Sequence, residues 1–229
     1  MDVGMMMIER VPRRRETPIM GWRTWRLSHD LARPRLMPAG SGGTDAWEPR
    51  VPMEARCAAT PLLTRFRRHA APDPSCACGI YASRSLDVFE RPRPAWPPPT
   101  VVGTVSLWGT VMEHERGWRA SFAYPARLRL VCSMCAWFEP GPGTPVAVHT
   151  FAGCAYALCR IHEGGIQVPD GRRTRPTDVD PTVLQARLLD AYAVDLLPID
   201  PVTPLFRRAR TPDPPAYIPT IRVVPPDPA

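Results

Sequence analysis

The seven cysteines of the 229-residue chain fall into two groups, and each group has histidines close by in the sequence. Thiolate sulfur and imidazole nitrogen are ligands that zinc prefers, and structural zinc sites use four of them in a tetrahedron. The first group has the spacing C-x11-H-x6-C-x-C and consists of Cys57, His69, Cys76 and Cys78. The second group joins a C-x2-C pair to a C-x4-C pair and consists of Cys132, Cys135, Cys154 and Cys159. The spacing predicts one or two structural zinc ions.

Turn-forming residues surround the paired cysteines of the first group. The run Asp73-Pro74-Ser75 makes a tight turn before Cys76, and Gly79 gives the backbone the freedom that a zinc knuckle needs after its second ligand. The alternative is three buried thiols beside a surface histidine.

The second group leaves the choice of its fourth ligand open. The four residues between Cys154 and Cys159 suit one turn of helix, and either His162 or His149 can replace one cysteine. The alternative is that Cys154 and Cys159 are small buried apolar side chains within the segment FAGCAYALC.

The odd number of cysteines and the N-terminal sequence argue against a disulfide framework. The first twenty residues contain acidic residues and three consecutive arginines, without the apolar segment of a secretory signal. No apolar run approaches twenty residues, so the sequence predicts no transmembrane helix. We therefore expect a cytoplasmic protein with reduced thiols.

The segment Val101–Tyr124 shows the period-2 alternation of a strand with one buried face. Gly103 and Gly109 fall on that face, which predicts a bulge, a corner or a close backbone approach. The charged run 113–117 predicts a hairpin turn, after which the chain returns antiparallel. Pro125 is expected to end this strand, and residues 126–131 to form another.

The remaining elements place this core within the chain. We predict a disordered leader over 1–20, an N-terminal zinc-knuckle part over 21–99, a β core with the second cysteine group and a C-terminal helix over 100–197, and a proline-rich tail over 198–229. The helix has Asp180 as its N-cap and Pro181 at its first position. The fold class is α+β: a β-rich, small, barrel-like antiparallel sheet flanked by a zinc knuckle, with one C-terminal packing helix.

The net charge of +7 does not by itself indicate nucleic acid as a partner. All 29 basic residues are arginine, and this bias, together with 31 prolines, is typical of a GC-rich coding sequence. Residues 1–99 carry a net charge of +6, whereas residues 100–170 are neutral. A polyanion would therefore have to contact the N-terminal part, and the neutral core favours a protein partner.

Recognisable catalytic motifs are missing from the sequence. It contains no P-loop, no G-x-G-x-x-G, no G-x-S-x-G and no H-E-x-x-H. The zinc deaminase pattern fails because the acidic residue after His114 is adjacent to it and Val131 precedes Cys132. A thioredoxin-like use of the C-x2-C pair requires a helix after a strand, whereas the following AWFEPGPG predicts strand and turn.

Three stretches resemble an uncharacterised family of hypothetical proteins from GC-rich bacteria and their phages. These are GWRTW at 21–25, CACGIYA at 76–82 and GTVSLWGTVMEHERGWRASFAYP at 103–125. The resemblance covers roughly residues 21–125 and implies a shared domain with the C-x-C-G knuckle and the strand pair. It carries no activity or ligand, and the second cysteine group lies outside it.

These observations favour a non-enzymatic, metal-stapled module that recognises a macromolecular partner. A protein partner is favoured over nucleic acid, and no membrane association is expected. The alternative is a zinc- or cysteine-dependent enzyme, in which an open zinc site or a reactive thiolate does the chemistry.

Overall fold

The computed structural model describes residues 13–39, 46–57, 69–86, 98–137, 143–167, 171–198 and 221–223. Its strands are β1 (Arg13–Ser28), β2 (Leu36–Pro38), β3 (Met53–Glu54), β4 (Ile80–Ser83), β5 (Val101–His114), β6 (Gly117–Leu130), β7 (Ala147–Phe151), β8 (Cys154–Leu158), β9 (Arg175–Pro176), β10 (Asp195–Leu196) and β11 (Ile221–Val223). The helices are α1 (Ser133–Trp137) and α2 (Pro181–Tyr192). The predicted β-rich α+β class is confirmed. Neither helix is long and apolar enough to cross a membrane.

Four strands form a ring-like antiparallel sheet at the centre of the fold. Strand β5 pairs with β6 along one edge and with β1 along the other. Strand β4 pairs with β6 and, through Trp22 and Ser83, with β1, which closes the ring. Strands β8, β7 and β9 continue the sheet from β1. This arrangement confirms the predicted barrel-like sheet with its antiparallel core.

Two segments that were predicted to be unstructured belong to the sheet. Strand β1 begins at Arg13, which pairs with Val111, so residues 13–20 are not part of a leader. Strand β11 pairs with β5 from Ile221 to Val223, inside the predicted tail. Both stretches contain β-branched residues among prolines, and the edge of a neighbouring strand is enough to order such a stretch. Residues 1–12, and 199–220 and 224–229 of the tail, lie outside the described residues.

The β5–β6 hairpin has the predicted turn but a longer second strand. The turn consists of Glu115 and Arg116, and β6 then runs to Leu130 without stopping at Pro125. The register shifts there: Val105 pairs with Pro125 and Thr104 with Arg127. The extra residue in this bulge allows the pairing of β5 with β6 to continue on both sides of Pro125, which has no N–H to donate.

Two glycines on β5 allow close packing and a bulge, as their position on the strand predicts. A Cβ atom at Gly103 would lie 2.3 Å from the carbonyl oxygen of Arg127 and 3.0 Å from the Trp25 ring. Gly109 has φ +75° and lies in a second register shift, between Trp108 and Val111. The ring is therefore narrow at one glycine and bent at the other.

The core lies between the ring and α2. Leu184, Leu188 and Tyr192 form the buried stripe of the helix, and the Asp180 carboxylate accepts hydrogen bonds from the backbone N–H groups of Thr182 and Val183. These features confirm the predicted helix. The Tyr192 hydroxyl donates to the carbonyl of Trp47 and accepts from Leu36 N at 2.9 Å, so α2 is hydrogen-bonded to the loop beside β2.

The close approach at Gly103 gives a test of the ring. We expect Gly103→Ala to lower the free energy of unfolding by about 2 kcal/mol or more, because the added methyl group overlaps a backbone oxygen that cannot move independently. Urea denaturation measures this change. Gly164→Ala is the matched control, since nothing lies within 4 Å of its added Cβ. Equal stability of the two variants would contradict the close packing.

Candidate metal centres

The first cysteine group comes together in the structure as the sequence predicts. Potential ligand atoms of Cys57, His69, Cys76 and Cys78 all lie within 4.8 Å of one another. Cys57 follows β3, and the other three lie in the segment that leads into β4 at Ile80. This group is half-buried.

The distances within this group match a tetrahedral zinc site. Zinc–sulfur bonds of about 2.3 Å and zinc–nitrogen bonds of about 2.0–2.1 Å give tetrahedron edges of about 3.8 Å between sulfurs and about 3.6 Å between sulfur and nitrogen. The sulfurs of Cys57 and Cys76 are 3.7 Å apart, and His69 Nε2 is 3.3 Å from the Cys78 sulfur. The first distance far exceeds the S–S bond of about 2.05 Å. The group therefore suits a metal ion and is not a disulfide.

Arg119 on β6 holds the knuckle loop against the sheet. Its side chain is buried, with 2% exposed, and its guanidinium donates hydrogen bonds to the carbonyl oxygens of Cys76, of Cys78 at 3.0 Å and of Asp73 at 3.0 Å. A planar guanidinium has five donors in a fixed fork, which suits several converging carbonyls. The sequence analysis missed this role, because one arginine among 29 carries no distinguishing signal.

The backbone around the knuckle shifts the pKa values of its acidic groups. The Ser75 hydroxyl, with the Ser75 N–H, lowers the pKa of the Asp73 carboxyl that accepts from both. A hydrogen bond from the backbone N–H of Cys78 lowers the pKa of Cys76 to about 7, and burial raises the pKa of Cys78 to about 11. Backbone N–H groups aimed at sulfur stabilise thiolates, which are the form that binds zinc.

The second group contains a histidine in place of one predicted cysteine. Potential ligand atoms of Cys132, Cys135, Cys159 and His162 lie within 4.8 Å of one another. Cys132 follows β6, Cys135 lies in α1, and Cys159 follows β8. The residues after Cys159 form a turn in which His162 N donates to Cys159 O at 2.8 Å, and this turn brings the imidazole back to the cysteine.

The distances in the second group also fit a tetrahedron. His162 Nδ1 lies 3.5 Å from the Cys132 sulfur, 3.6 Å from that of Cys135 and 3.3 Å from that of Cys159. The sulfurs of Cys135 and Cys159 are 3.4 Å apart, which again excludes a disulfide. Burial raises the pKa of Cys132 and that of Cys135. Deprotonating both thiols in this buried place needs a counter-charge, which a divalent metal supplies.

The structure does not bring Cys154 into either group. Residues 154–158 form strand β8 and not the helical turn expected from the spacing of the two cysteines. Strand β8 ends at Leu158, and only Cys159, directly after it, has its sulfur among the potential ligand atoms of the second group. Cys154 is buried near Tyr156, and burial raises the pKa of its thiol. The alternative of a small buried apolar side chain describes Cys154, while Cys159 lies with the potential ligands.

Two further details differ from the sequence-based expectations. Strand and turn were expected over 136–143, but residues 136 and 137 belong to helix α1, and residues 138–142 lie outside the described part of the chain. Cys135 therefore lies on a helix, but beside Cys159 and His162 and not as half of an isolated dithiol. His149, the other candidate histidine, is buried on β7, and its Nδ1 lies 3.1 Å from Thr174 Oγ1.

Comparisons of the chain with protein-family models, with curated proteins and with solved structures give no match. The resemblance to hypothetical proteins of GC-rich bacteria and phages therefore stays a prediction. The two Cys/His groups, which suit metal ions such as zinc, are the features from which function must be argued.

Cys159 and Cys154 form a matched pair for testing the second group. We expect Cys159→Ser to remove about one zinc ion per chain, because it deletes one of four ligands, and Cys154→Ser to leave the zinc content unchanged. Elemental analysis of the purified variants measures this difference. Equal zinc loss in both variants would contradict the ligand set, as would loss in Cys154→Ser alone.

Arg119 provides a separate test of the first group. We expect Arg119→Lys to speed the release of one zinc ion to a chelator by about tenfold or more, because an ammonium cannot reach all three carbonyls and an unpaired buried carbonyl costs about 1–3 kcal/mol. A colorimetric zinc indicator follows the release. Arg129→Lys is the control, since Arg129 lies on the same strand but donates to Leu197 O. Unchanged release in Arg119→Lys would overturn the role given to this arginine.

Proposed function

We propose that the chain is a non-enzymatic interaction module whose sheet is stabilised by two structural zinc ions. The observation that carries this proposal is that each Cys/His group brings together four potential protein ligands. Four protein ligands fill the tetrahedron of a structural zinc, whereas catalytic zinc keeps a position for water or substrate. Neither ion would then have room to activate a substrate.

Surface side chains support a protein as the partner. Ile161 is 66% exposed and lies in the turn between the potential ligands Cys159 and His162. Val51 is 54% exposed and directly follows the turn at residues 49–50. Residues 100–170, which include Ile161, carry no net charge and so have no general attraction for a polyanion. A cytoplasmic location belongs to the same proposal, because thiolate ligands persist where thiols stay reduced.

Metal content and thiol reactivity together test the proposed function. We expect elemental analysis to find about two zinc ions per chain, and we expect the native protein to resist alkylation by iodoacetamide. Removal of zinc by a chelator should expose the six cysteines of the two groups and lower the melting temperature, because binding energy at a structural site is folding energy.

The enzyme alternative predicts a different outcome of the same measurement. One cysteine would react much faster than the others in the zinc-loaded protein, since a nucleophilic thiolate must be accessible. A folded protein that contains no zinc would also contradict the proposed function. Mass spectrometry of the alkylated peptides identifies which cysteine reacts.

A further inference from the structure

A groove lies on the side of α2, away from the buried stripe of the helix. It has a volume of about 260 Å³ and is bounded by residues 32–35, by Pro49 and by the α2 residues Arg187, Asp190 and Ala191. We call it the arginine groove, after Arg33, Arg35 and Arg187. These residues belong to neither Cys/His group, so the metal centres do not account for the groove.

Hydrogen bonds to the backbone fix the walls of the arginine groove. Arg187 Nη1 donates to Leu31 O at 3.2 Å, which links α2 to the wall formed by residues 32–35. The Asp30 carboxylate accepts from the N–H groups of Ala32 and Arg33 and holds the turn that carries Arg33. On the other side, Arg50 Nη2 donates to Asp190 O at 3.0 Å. A site that is already formed loses little conformational entropy when a ligand binds.

The charges in the arginine groove favour a small anionic group. The described residues that line it include Arg33, Arg35 and Arg187 together with Asp190. Arg35 also pairs with Glu48, with Nη1 and Oε1 2.6 Å apart, and both side chains are about half exposed. Four arginines, with Arg50 included, against the carboxylates of Asp30, Glu48 and Asp190 give a local charge of about +1. Each guanidinium has five N–H donors, and the contacts named above use one in Arg35 and one in Arg187. Donors remain to form a bidentate pair with a carboxylate.

The rest of the lining is apolar and small. Ala32, Pro34, Pro49 and Ala191 contribute methyl and ring carbons next to the arginines. The described residues of this lining include no aromatic ring on which a nucleic-acid base can stack. An apolar side chain next to a carboxylate matches both halves of the lining.

We propose that the arginine groove binds a short acidic segment of a partner protein, in which a glutamate or aspartate is adjacent to an apolar residue. This inference rests on the proposed function as an interaction module and names the chemistry of its partner. Arg187 and Arg33 hold the carboxylate, and the alanine and proline surface takes the neighbouring apolar side chain.

Binding of a labelled peptide to the full zinc-loaded chain tests this proposal. The probe is fluorescein-labelled Gly-Glu-Glu-Leu-Glu-Gly, followed by fluorescence anisotropy, and the comparison peptide has glutamine at each glutamate. We expect the glutamine peptide to bind at least tenfold more weakly, because it retains the shape but lacks the charge. We expect Arg187→Ala to lower the affinity for the glutamate peptide by a similar factor. Arg116→Ala, which removes the same charge at the β5–β6 turn, should change the affinity less than twofold.

Three results would overturn the groove as the binding site. They are no binding of the glutamate peptide at concentrations up to about 1 mM, equal affinity for both peptides, and equal weakening by Arg187→Ala and Arg116→Ala. Tighter, Arg187-dependent binding of a ten-nucleotide oligothymidine would assign the groove to nucleic acid instead and reject the peptide. Zinc content and melting temperature of each variant are measured alongside. Missing zinc would then reject the proposed metal-bound module. Loss of peptide selectivity in zinc-loaded protein would reject only the groove as the binding site.

Discussion

The two-sided pairing of β5 is the constraint on which the rest of the structure depends. Because β5 is hydrogen-bonded to β6 and β1, the ends of these strands have fixed positions. The second Cys/His group lies at the end of β6, and the first lies beside β3 and β4, which both pair with β6. Cys132 follows the last residue of β6 by two positions, and Cys78 precedes β4, which pairs with β6. The sheet thus brings potential ligands that are far apart in the sequence close together in two places. A metal ion in each place would in turn tie the connecting segments to the sheet.

Such ties matter because the elements around the ring are short. Strands β3, β9 and β10 have two residues each and α1 has five, so they bury little apolar surface of their own. The first group closes a loop from Cys57 to Cys78 and the second a loop from Cys132 to His162. Closing loops of this length costs conformational entropy that short elements offset poorly, whereas metal–ligand bonds offset it well. Cys132 and Cys159 of the second group also belong to a buried apolar cluster with Tyr156 and Leu158, whereas the first group is half-buried.

The sequence predicts those parts of the fold that local chemistry determines. Alternation over Val101–Tyr124 predicts the long hairpin, and Asp180 with Pro181 predicts the start of α2, because each is a short-range effect. The path of β6 through Pro125 is not predictable locally, since the bulge depends on the register with β5. The sequence names Cys154 as a ligand where the structure has His162, and the reason is similar. Whether residues 154–159 form helix or strand decides which side chains come together. Pairing of Ala155 with Leu27 of β1 makes them a strand.

Three buried polar side chains link the core to segments that are distant in the sequence. Arg119, Tyr192 and Thr100 are buried, and each has hydrogen bonds to the backbone of a distant segment. Buried groups of this kind fix one conformation, because a change in backbone position leaves a donor or carbonyl unpaired at a cost of about 1–3 kcal/mol. The hydrogen bonds of Arg119, Tyr192 and Thr100 thus fix how the knuckle loop, α2 and β8 meet the ring.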